Sequence, residues 1–227
     1  MAIDSKGSSL KINGTPAGEY PKVFGELADK ETQSWEIDKN KFVTDVNKTI
    51  FSAATDESRA VLTGVLVKLS AKEATFAAAD GFRLSVVKLP VLESHNTSET
   101  ESFIIPAKTM AEVSRIVSED KKTGREGKTI KLSFIKEAGQ VNFVVGEITI
   151  LSRLISGKFP DFEKIIPPTS QFSLLVSSDE LAKGTKLASI FARDSANIVK
   201  LKIENGKLKI SANAPEVGEN ETEVSAT

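Results

Sequence analysis

Hydrophobic positions along the chain change from the alternation typical of strands to the spacing typical of helices, and then back. Residues 34–37 have strand character and lead into Asp38, a favourable residue for a helix N-terminus. The apolar positions of the helix that follows are Phe42, Val46 and Ile50. Three further segments have the alternation and β-branched residues of antiparallel strands. They are residues 65–70, 75–80 and 83–89, with a turn predicted at Asp80-Gly81.

The same order of elements then occurs a second time. Residues 102–105 form a predicted strand, and Pro106 stands at a plausible first position of a helix. The apolar positions of this second helix are Met110, Val113 and Val117. The strands predicted after it are residues 130–135, 141–145 and 148–155.

A third occurrence begins with a strand predicted over residues 172–176. Ser178, Asp179 and Glu180 follow it and favour a helix start. The apolar positions of this helix are Leu181, Leu187, Ala188 and Phe191. Two more predicted strands, residues 199–203 and 208–213, surround an Asn205-Gly206 pair that is typical of a tight hairpin.

The spacing of these elements predicts a structural repeat. The three starts, near Ser34, Ser102 and Gln171, are 68 and 69 residues apart. Prolines interrupt residues 158–168, where we expect a domain boundary. The chain is therefore divided into residues 1–30, 31–167 and 168–227. The last of these contains fewer strands than the earlier repeats, so we expect a domain truncated at its C-terminus, and the first is expected to be a remnant of an upstream domain.

Composition excludes several classes of protein. The 227 residues are 40% hydrophobic and 27% charged, which is ordinary for a globular protein. The sequence contains no cysteine, no membrane-spanning run and no signal-like N-terminus, so we expect a cytoplasmic protein. The net charge of -1 leaves any nucleic-acid role to local clusters of basic residues.

Each predicted helix presents basic side chains opposite its apolar face. A solvated surface explains any one of these faces, but their recurrence equally fits sequence-independent contacts with DNA phosphates. The polar positions of the first helix are Lys41, Thr44, Lys48 and Ser52; those of the second are Lys108 and Arg115, with Glu112 between them; those of the third are Lys183, Lys186 and Arg193. Ile190 is predicted to be exposed beside the third set and is a candidate subunit contact.

Candidate catalytic chemistry is absent from the pattern. The single histidine, His95, lies in a polar segment predicted to be a loop, and no phosphate-binding, dinucleotide-binding or metalloprotease motif occurs. The acidic residues Glu216, Glu219, Glu221 and Glu223 fit a solvated strand or loop better than a metal site. We therefore expect neither an enzyme nor a bound metal or cofactor.

Several stretches closely resemble the bacterial DNA polymerase III β subunits, the sliding clamps of replication. They are DESRAVLTGV from Asp56, ADGFRLSV from Ala79, FIIPAKTMAEVSRIV from Phe103, GKFPDFEKIIP from Gly157 and LKISANAPEVGE from Leu208. Their order and spacing also match, and the resemblance covers nearly the whole chain.

The resemblance implies an α+β DNA clamp fold with helices on the inner face and sheets on the outer face. It identifies residues 1–30 as the end of the first clamp domain with a linker, 31–167 as a complete middle domain and 168–227 as part of the third. Two subunits of such clamps close into a ring around duplex DNA. The residues that it places towards DNA are Lys41, Lys48, Arg59, Lys108, Arg115, Lys183, Lys186 and Arg193.

The family also has a pocket between its second and third domains that binds short, partly apolar peptides of polymerases, the clamp loader and repair proteins. The matching positions here are Leu62, Ala79, Gly81, Phe82, Arg83, Leu84, Pro160, Lys164 and Ile165. Apolar walls, a close backbone approach at a glycine and two basic ends suit such a peptide. Ordinary turn and core positions explain the same residues equally well.

This chain departs from the family at several positions. Ala79 and Phe82 replace frequent Thr and His, Lys164 replaces Arg, and Ala60 and Val61 stand where some relatives have DNA-contacting tyrosines. The family's last pocket strand lies beyond Thr227, so a half-built pocket is expected. Ile190 and Phe191 match the family's ring interface, but its complementary surface belongs to the first domain, so this chain is not expected to form the ring.

The resulting hypothesis is a non-enzymatic processivity factor that binds duplex DNA loosely and recruits partners by peptide capture. One alternative is a repeat-built protein that binds peptides without encircling DNA. A second, a hydrolase or transferase that uses carboxylates, predicts turnover that depends on a single acidic residue.

Overall fold

The computed structural model describes residues 2–19, 33–97, 99–122, 127–136, 138–170, 172–204 and 206–227. The chain forms two compact units, Met1–Phe162 (unit 1) and Glu163–Thr227 (unit 2). The division falls inside the segment 158–168 where the sequence predicts a boundary. Unit 1 begins with a hairpin of β1 (Ala2–Ser5) and β2 (Ser8–Lys11), followed by a short 3-10 helix, Ala17–Glu19. The predicted linker lies outside the described residues from position 20 onward.

Unit 1 contains two modules with the same order of elements. Module 1 consists of β3 (Gln33–Asp38), α1 (Lys39–Ile50), a 3-10 segment (Glu57–Thr63), β4 (Gly64–Leu69), β5 (Glu73–Ala79) and β6 (Leu84–His95). Module 2 consists of β7 (Glu101–Pro106), α2 (Ala107–Lys122), β8 (Thr129–Ile135), β9 (Gln140–Val145) and β10 (Ile148–Arg153), and a 3-10 turn, Phe162–Lys164, follows it. The strand-helix-strands repeat predicted from spacing is thus confirmed.

The two modules form one antiparallel eight-stranded sheet in the order β10-β9-β8-β3-β6-β5-β4-β7. Their pairing is reciprocal, because β3 of module 1 pairs with β8 of module 2 while β4 of module 1 pairs with β7 of module 2. In each case the first strand of one module pairs with the second strand of the other. A bridge between Ile104 and Ile155 joins the two ends of the sheet.

Helices α1 and α2 contact each other and cover one face of this sheet. Successive strand residues point to opposite faces, so one set of alternate side chains meets the helices and the other set faces outward. The helix residues that enter the main core are the predicted Phe42, Val46, Met110, Val113 and Val117, all fully buried. Trp35 and Phe76 on the strands pack among them.

A buried ion pair connects the two helices. The ammonium of Lys39, the first residue of α1, donates to Asp120 in the last turns of α2 at 2.5 Å, and both side chains are almost fully buried. The ends of the two helices are therefore fixed together by charge as well as by apolar packing.

Unit 2 contains a single module, made of α3 (Ser178–Ala192), β11 (Lys200–Glu204), β12 (Lys207–Ala214) and β13 (Gly218–Ser225). The sheet order is β11-β12-β13, and α3 packs against β12 and β13. Ala188, Ala192, Leu208, Ile210 and Val224 form its core. The predicted hairpin of β11 and β12 is confirmed; Asn205 of its turn and the repeat start at Gln171 lie outside the described residues.

Five local predictions are wrong. His95, predicted to lie in a loop, is the last residue of β6 and lies opposite Ser34 of β3. Residues 172–176 are not a regular strand, because they pair with only Ala226 and Thr227 in the described chain. Leu187 is 48% exposed, since the helix side that meets the sheet carries Gly184, Ala188 and Ala192. Ser52 is buried, because α1 ends at Ile50. Pro106 ends β7, and α2 begins one residue later.

No helix among the described residues is long and apolar enough to cross a lipid bilayer.

Candidate partner and nucleic-acid surfaces

The outer face of strands β4 to β7 carries a second apolar cluster, which we call the outer cluster. Of the predicted pocket residues, Leu62 is buried in this cluster, and Ala79 and Leu84 lie half-buried against it. Sequence reasoning missed the side chains that surround them. These are Leu66, Ala77, Ile104, Phe159 and Phe162. The two aromatic residues of the segment FPDF were the available signal, since aromatic side chains bury large apolar areas and often dominate apolar clusters.

The loop from Asp80 to Arg83 stands at the edge of the outer cluster. Asp80 accepts hydrogen bonds from the backbone amides of Phe82 and Arg83, at 2.9 and 3.0 Å, and from the Arg83 guanidinium at 2.8 Å. These donors hold the pKa of the Asp80 carboxyl below its usual range, with the backbone amides as the largest cause. Gly81 has φ of 96°, a conformation that favours glycine. The loop is therefore ordered by local bonds.

This loop displays an aromatic side chain and an anchored cation. Phe82 is 97% exposed. The Arg83 guanidinium lies 5.5 Å from the centre of the Phe51 ring, in addition to its ion pair with Asp80. The Phe82 ring is therefore accessible to a binding partner.

A hollow of about 230 Å³ lies between this loop and the residues after α1. Arg59, predicted to face DNA, lines the hollow and donates to the Asp80 carbonyl oxygen at 3.3 Å. Asp56 lines it as well, and hydrogen bonds from the Ser58 hydroxyl and amide lower the pKa of the Asp56 carboxyl. The hollow thus combines the Phe82 ring with two arginines and two carboxylates.

Pro160 lies in a different depression, a groove of about 700 Å³ on the sheet face of unit 1. Leu66, Ile104, Phe159 and Phe162 line this groove with Pro160, and the Lys68 ammonium is 5.2 Å from the centre of the Phe162 ring. The structure therefore places Phe82 and Arg83 in one cavity and Pro160 in another. Lys164 and Ile165 belong to unit 2, where Ile165 is 68% exposed.

The basic residues predicted on α1 and α2 are exposed on the outward side of the helix pair. Lys48 is held by Asp45, one turn away, at 2.9 Å. Among the described residues Lys41 and Lys108 have no ion-pair partner, so their charge is available to an external anion.

Arg115 is exposed but electrically compensated. Its guanidinium donates to Glu112 through two nitrogens, at 2.9 and 2.5 Å, and to Glu119 at 2.5 Å. These carboxylates raise the pKa of Arg115, and Arg115 lowers the pKa of Glu112. Of the four basic residues predicted to face DNA on this helix pair, Arg115 has the most strongly compensated charge.

In unit 2, Lys183, Lys186 and Arg193 are exposed along α3, as predicted. Ile190 is 54% exposed among them, whereas Phe191 is half-buried against the unit 2 core. The acidic residues Glu219, Glu221 and Glu223 are exposed on β13, and the last two form ion pairs with Lys207 and Lys209. Within the described ranges no group of acidic, histidine or cysteine side chains could hold a metal ion.

Unit 1 is thus a two-module scaffold, with paired helices on one face of its sheet and hollows open to a binding partner outside that face. Comparison with known proteins identifies the family. The family model for the central domain of the DNA polymerase III beta subunit matches residues 36–161, and that for its C-terminal domain matches residues 163–227. The chain belongs to the DNA polymerase III beta subunit family.

Individual relatives agree with this assignment. The beta sliding clamp of Staphylococcus aureus (strain Mu50 / ATCC 700699) is 30% identical over 226 residues, which are 99% of this chain and 56% of the relative. The sliding clamp of Bacillus subtilis matches in structure with a TM-score of 0.81 at 26% identity, over 99% of this chain and 56% of that one. The β subunit of Thermotoga maritima matches with a TM-score of 0.79 at 26% identity, over 100% and 58%. The chain thus spans a little over half the length of these relatives.

Proposed function

We propose that this chain is a sliding-clamp subunit of a bacterial replicase, which follows duplex DNA with its helices and recruits polymerases, the clamp loader and repair proteins by their peptides. Family membership carries the proposal, and the exposed basic side chains of α1, α2 and α3 support it. The proposed function is that of a non-catalytic processivity subunit, and its proposed place is the cytoplasm. A ring of two subunits around the duplex is part of the same proposal.

The DNA contact would be made to phosphates. Lysine side chains on helices can follow a backbone of regularly spaced charges without reading bases. The proposed contact residues are Lys41, Lys48, Arg59, Lys108, Arg115, Lys183, Lys186 and Arg193. Lys41 and Lys108 are the strongest candidates on unit 1, because neither is paired with an acidic side chain among the described residues.

Charge reversal at these two positions tests the DNA role. The double variant Lys41→Glu, Lys108→Glu should bind fluorescent duplex DNA at low salt at least about tenfold more weakly, measured by anisotropy. The double variant Lys72→Glu, Lys131→Glu is the matched control, because it makes the same charge change at exposed lysines outside the proposed contact set. Equal affinities of the double variant and the parent chain would contradict the proposal.

Peptide capture is proposed at the outer cluster of unit 1 and the loop at its edge, through Leu62, Ala79, Gly81, Phe82, Arg83, Leu84 and Pro160. The exposed Phe82 ring and the apolar floor formed by Leu62 and Leu84 support this site. An apolar peptide side chain would lie against the floor, while Arg83 would face a polar or acidic end.

Phe82→Glu tests the site without disturbing the core, because the side chain is almost fully exposed. Calorimetry with a short synthetic peptide rich in leucine and phenylalanine should show at least about tenfold weaker binding than the parent chain. The control is Leu92→Glu, which places the same charge at an exposed apolar position of β6, away from the loop. Equal loss in both variants, or in neither, would argue against the site. A repeat-built peptide binder without a DNA role predicts the peptide result and no effect of the lysine changes.

A further inference from the structure

The groove that contains Pro160 follows a seam in the sheet of unit 1, and we call it the seam groove. Its lining comes mainly from β7 on one side and from residues 154–162 on the other. The bridge between Ile104 and Ile155 joins these two sides, and the Ile155 amide donates to the Ile104 carbonyl oxygen at 2.9 Å. Beyond this bridge, towards Ser102, the two sides separate and the groove opens.

Gly157 explains why the seam opens. If the antiparallel pairing continued past the bridge, Gly157 would lie opposite Ser102. Gly157 instead has a φ of 132°, and a Cβ atom at this position would lie 2.5 Å from Cγ1 of Val61. The chain therefore turns away from β7 at a position that glycine occupies without strain. The opening is thus built by residues inside unit 1, between its two modules.

This turn leaves backbone groups of β7 without a strand partner. In an antiparallel strand, the amide and carbonyl of every second residue point to the same edge. Because the Ile104 carbonyl oxygen accepts from Ile155, the amide and carbonyl of Ser102 point to that edge as well. Among the described residues, no backbone hydrogen bond reaches Ser102 from this side. Such an edge can bind an extended chain through main-chain hydrogen bonds.

The floor of the seam groove is apolar and aromatic. The rings of Phe103 and Phe134 stack across the seam with their centres 4.7 Å apart, and Leu154 lines the groove with them. Phe159 and Phe162 add two further aromatic side chains to the lining. A volume of about 700 Å³ lies in the range of sites that bury a ligand's apolar groups. Apolar side chains of a bound segment would therefore be removed from water here.

Charge indicates which segment fits. The charged side chains that line the groove are Lys68, Lys158 and Asp161, so basic groups outnumber acidic ones. Lys158 is exposed and forms no ion pair with any described residue. A carboxylate on the bound segment would supply a partner for the Lys158 ammonium.

From these observations we propose that the seam groove is a second binding site, at which an extended segment of a partner protein adds to the edge of β7. Its backbone would pair with Ser102, its apolar side chains would cover Phe103 and Phe134, and an acidic side chain would face Lys158. Binding here requires neither Phe82 nor the hollow beside it, which is a separate cavity.

A short fluorescent peptide in which leucine alternates with aspartate is the probe for the 227-residue chain. Anisotropy should show saturable binding, and the same peptide with lysine in place of aspartate should bind at least about tenfold more weakly. Lys158→Glu should remove this preference. Lys131→Glu, the same charge change at an exposed position of β8 outside the groove, should keep it. No binding up to about millimolar peptide, or a preference that Lys158→Glu leaves unchanged, would overturn the proposal.

The backbone contact is tested separately on the parent chain. Saturation with the acidic peptide should slow hydrogen exchange of the Ser102 amide, which NMR follows residue by residue. The same peptide with N-methylated backbone nitrogens lacks the donors for strand pairing and should bind at least about tenfold more weakly. Unchanged exchange at Ser102 in the saturated complex, or equal affinity of the N-methylated peptide, would exclude addition of a strand to β7.

Discussion

The carboxylate of Asp80 accepts hydrogen bonds from two consecutive amides of its own loop and faces the Arg83 guanidinium. It thereby fixes both the backbone that carries Phe82 and the direction of a cation beside it. Gly64, at the start of β4, shows a steric counterpart. A Cβ atom there would overlap the Ile104 side chain and lie 2.9 Å from the Ile105 carbonyl oxygen. One residue thus orders a loop by hydrogen bonding, and the other allows two strands to pack closely.

The stability of the loop from Asp80 to Arg83 should depend on pH, because its hydrogen bonds require the ionised Asp80 carboxylate. Because folding lowers the pKa of this carboxyl, the loop is stabilised above the ordinary carboxyl pKa, and the stabilisation is lost as pH falls through the lower, folded value. The amide resonances of Phe82 and Arg83 should therefore shift at a pH below the usual aspartate range in an NMR titration. Asp80→Asn should abolish that transition. A transition retained in Asp80→Asn would assign it to another group.

Gly64→Ala should lower the free energy of unfolding by about 1–3 kcal/mol, because the added methyl group has no space between β4 and β7. Urea unfolding followed by Trp35 fluorescence measures this, since the chain has a single tryptophan and it lies in the unit 1 core. Gly14→Ala is the matched control, because a methyl group at that position would have no atom within 4 Å. Equal stability of both variants would show that the sheet adapts.

Among the elements, α1 and its flanking strand were the most predictable, because Asp38 caps the helix and accepts from the amides of Asn40 and Lys41. Local pattern determined that outcome. Residues 172–176 have a similar pattern but no regular strand, since strand formation depends on partners that the local sequence does not reveal. For the same reason, sequence spacing could not show that Arg115 is paired with two carboxylates while Lys41 has no ion-pair partner among the described residues. It also could not show that Pro160 and Phe82 line different cavities.

Helices α1 and α2 should depend strongly on their buried ion pair. Lys39→Met alone leaves Asp120 buried without the Lys39 ammonium and should cost about 3–5 kcal/mol of unfolding free energy. Combining it with Asp120→Leu should recover most of this loss, because both charges of the pair are then removed together. Chemical denaturation of the two variants provides the measurement. A double variant as unstable as the single one would show that Asp120 acts through other contacts.

At the scale of the whole molecule, the net charge of -1 is the sum of 30 basic and 31 acidic side chains that are unevenly distributed over the surface. Basic side chains lie along the exposed sides of three helices, and acidic side chains lie both beside them, as at Glu112 and Glu119, and on β13. Long-range attraction to DNA should consequently be weak and local contacts should dominate.

DNA binding by the chain should therefore be independent of base sequence and sensitive to salt. The logarithm of the binding constant should fall linearly with the logarithm of salt concentration, with a slope of about -0.9 for each phosphate contact on duplex DNA. Titration of two unrelated duplexes of equal length measures both properties. A clear preference for one duplex, or a flat salt dependence, would contradict a phosphate-following surface.

The bridge between Ile104 and Ile155 has a consequence for the behaviour of the chain at high concentration. Open strand edges recruit strands from other molecules and can start fibrous aggregates, and natural proteins protect such edges. By linking the two terminal strands of its sheet, unit 1 removes much of the template for such growth. The eight-stranded sheet of unit 1 should therefore resist edge-to-edge aggregation when the protein is concentrated.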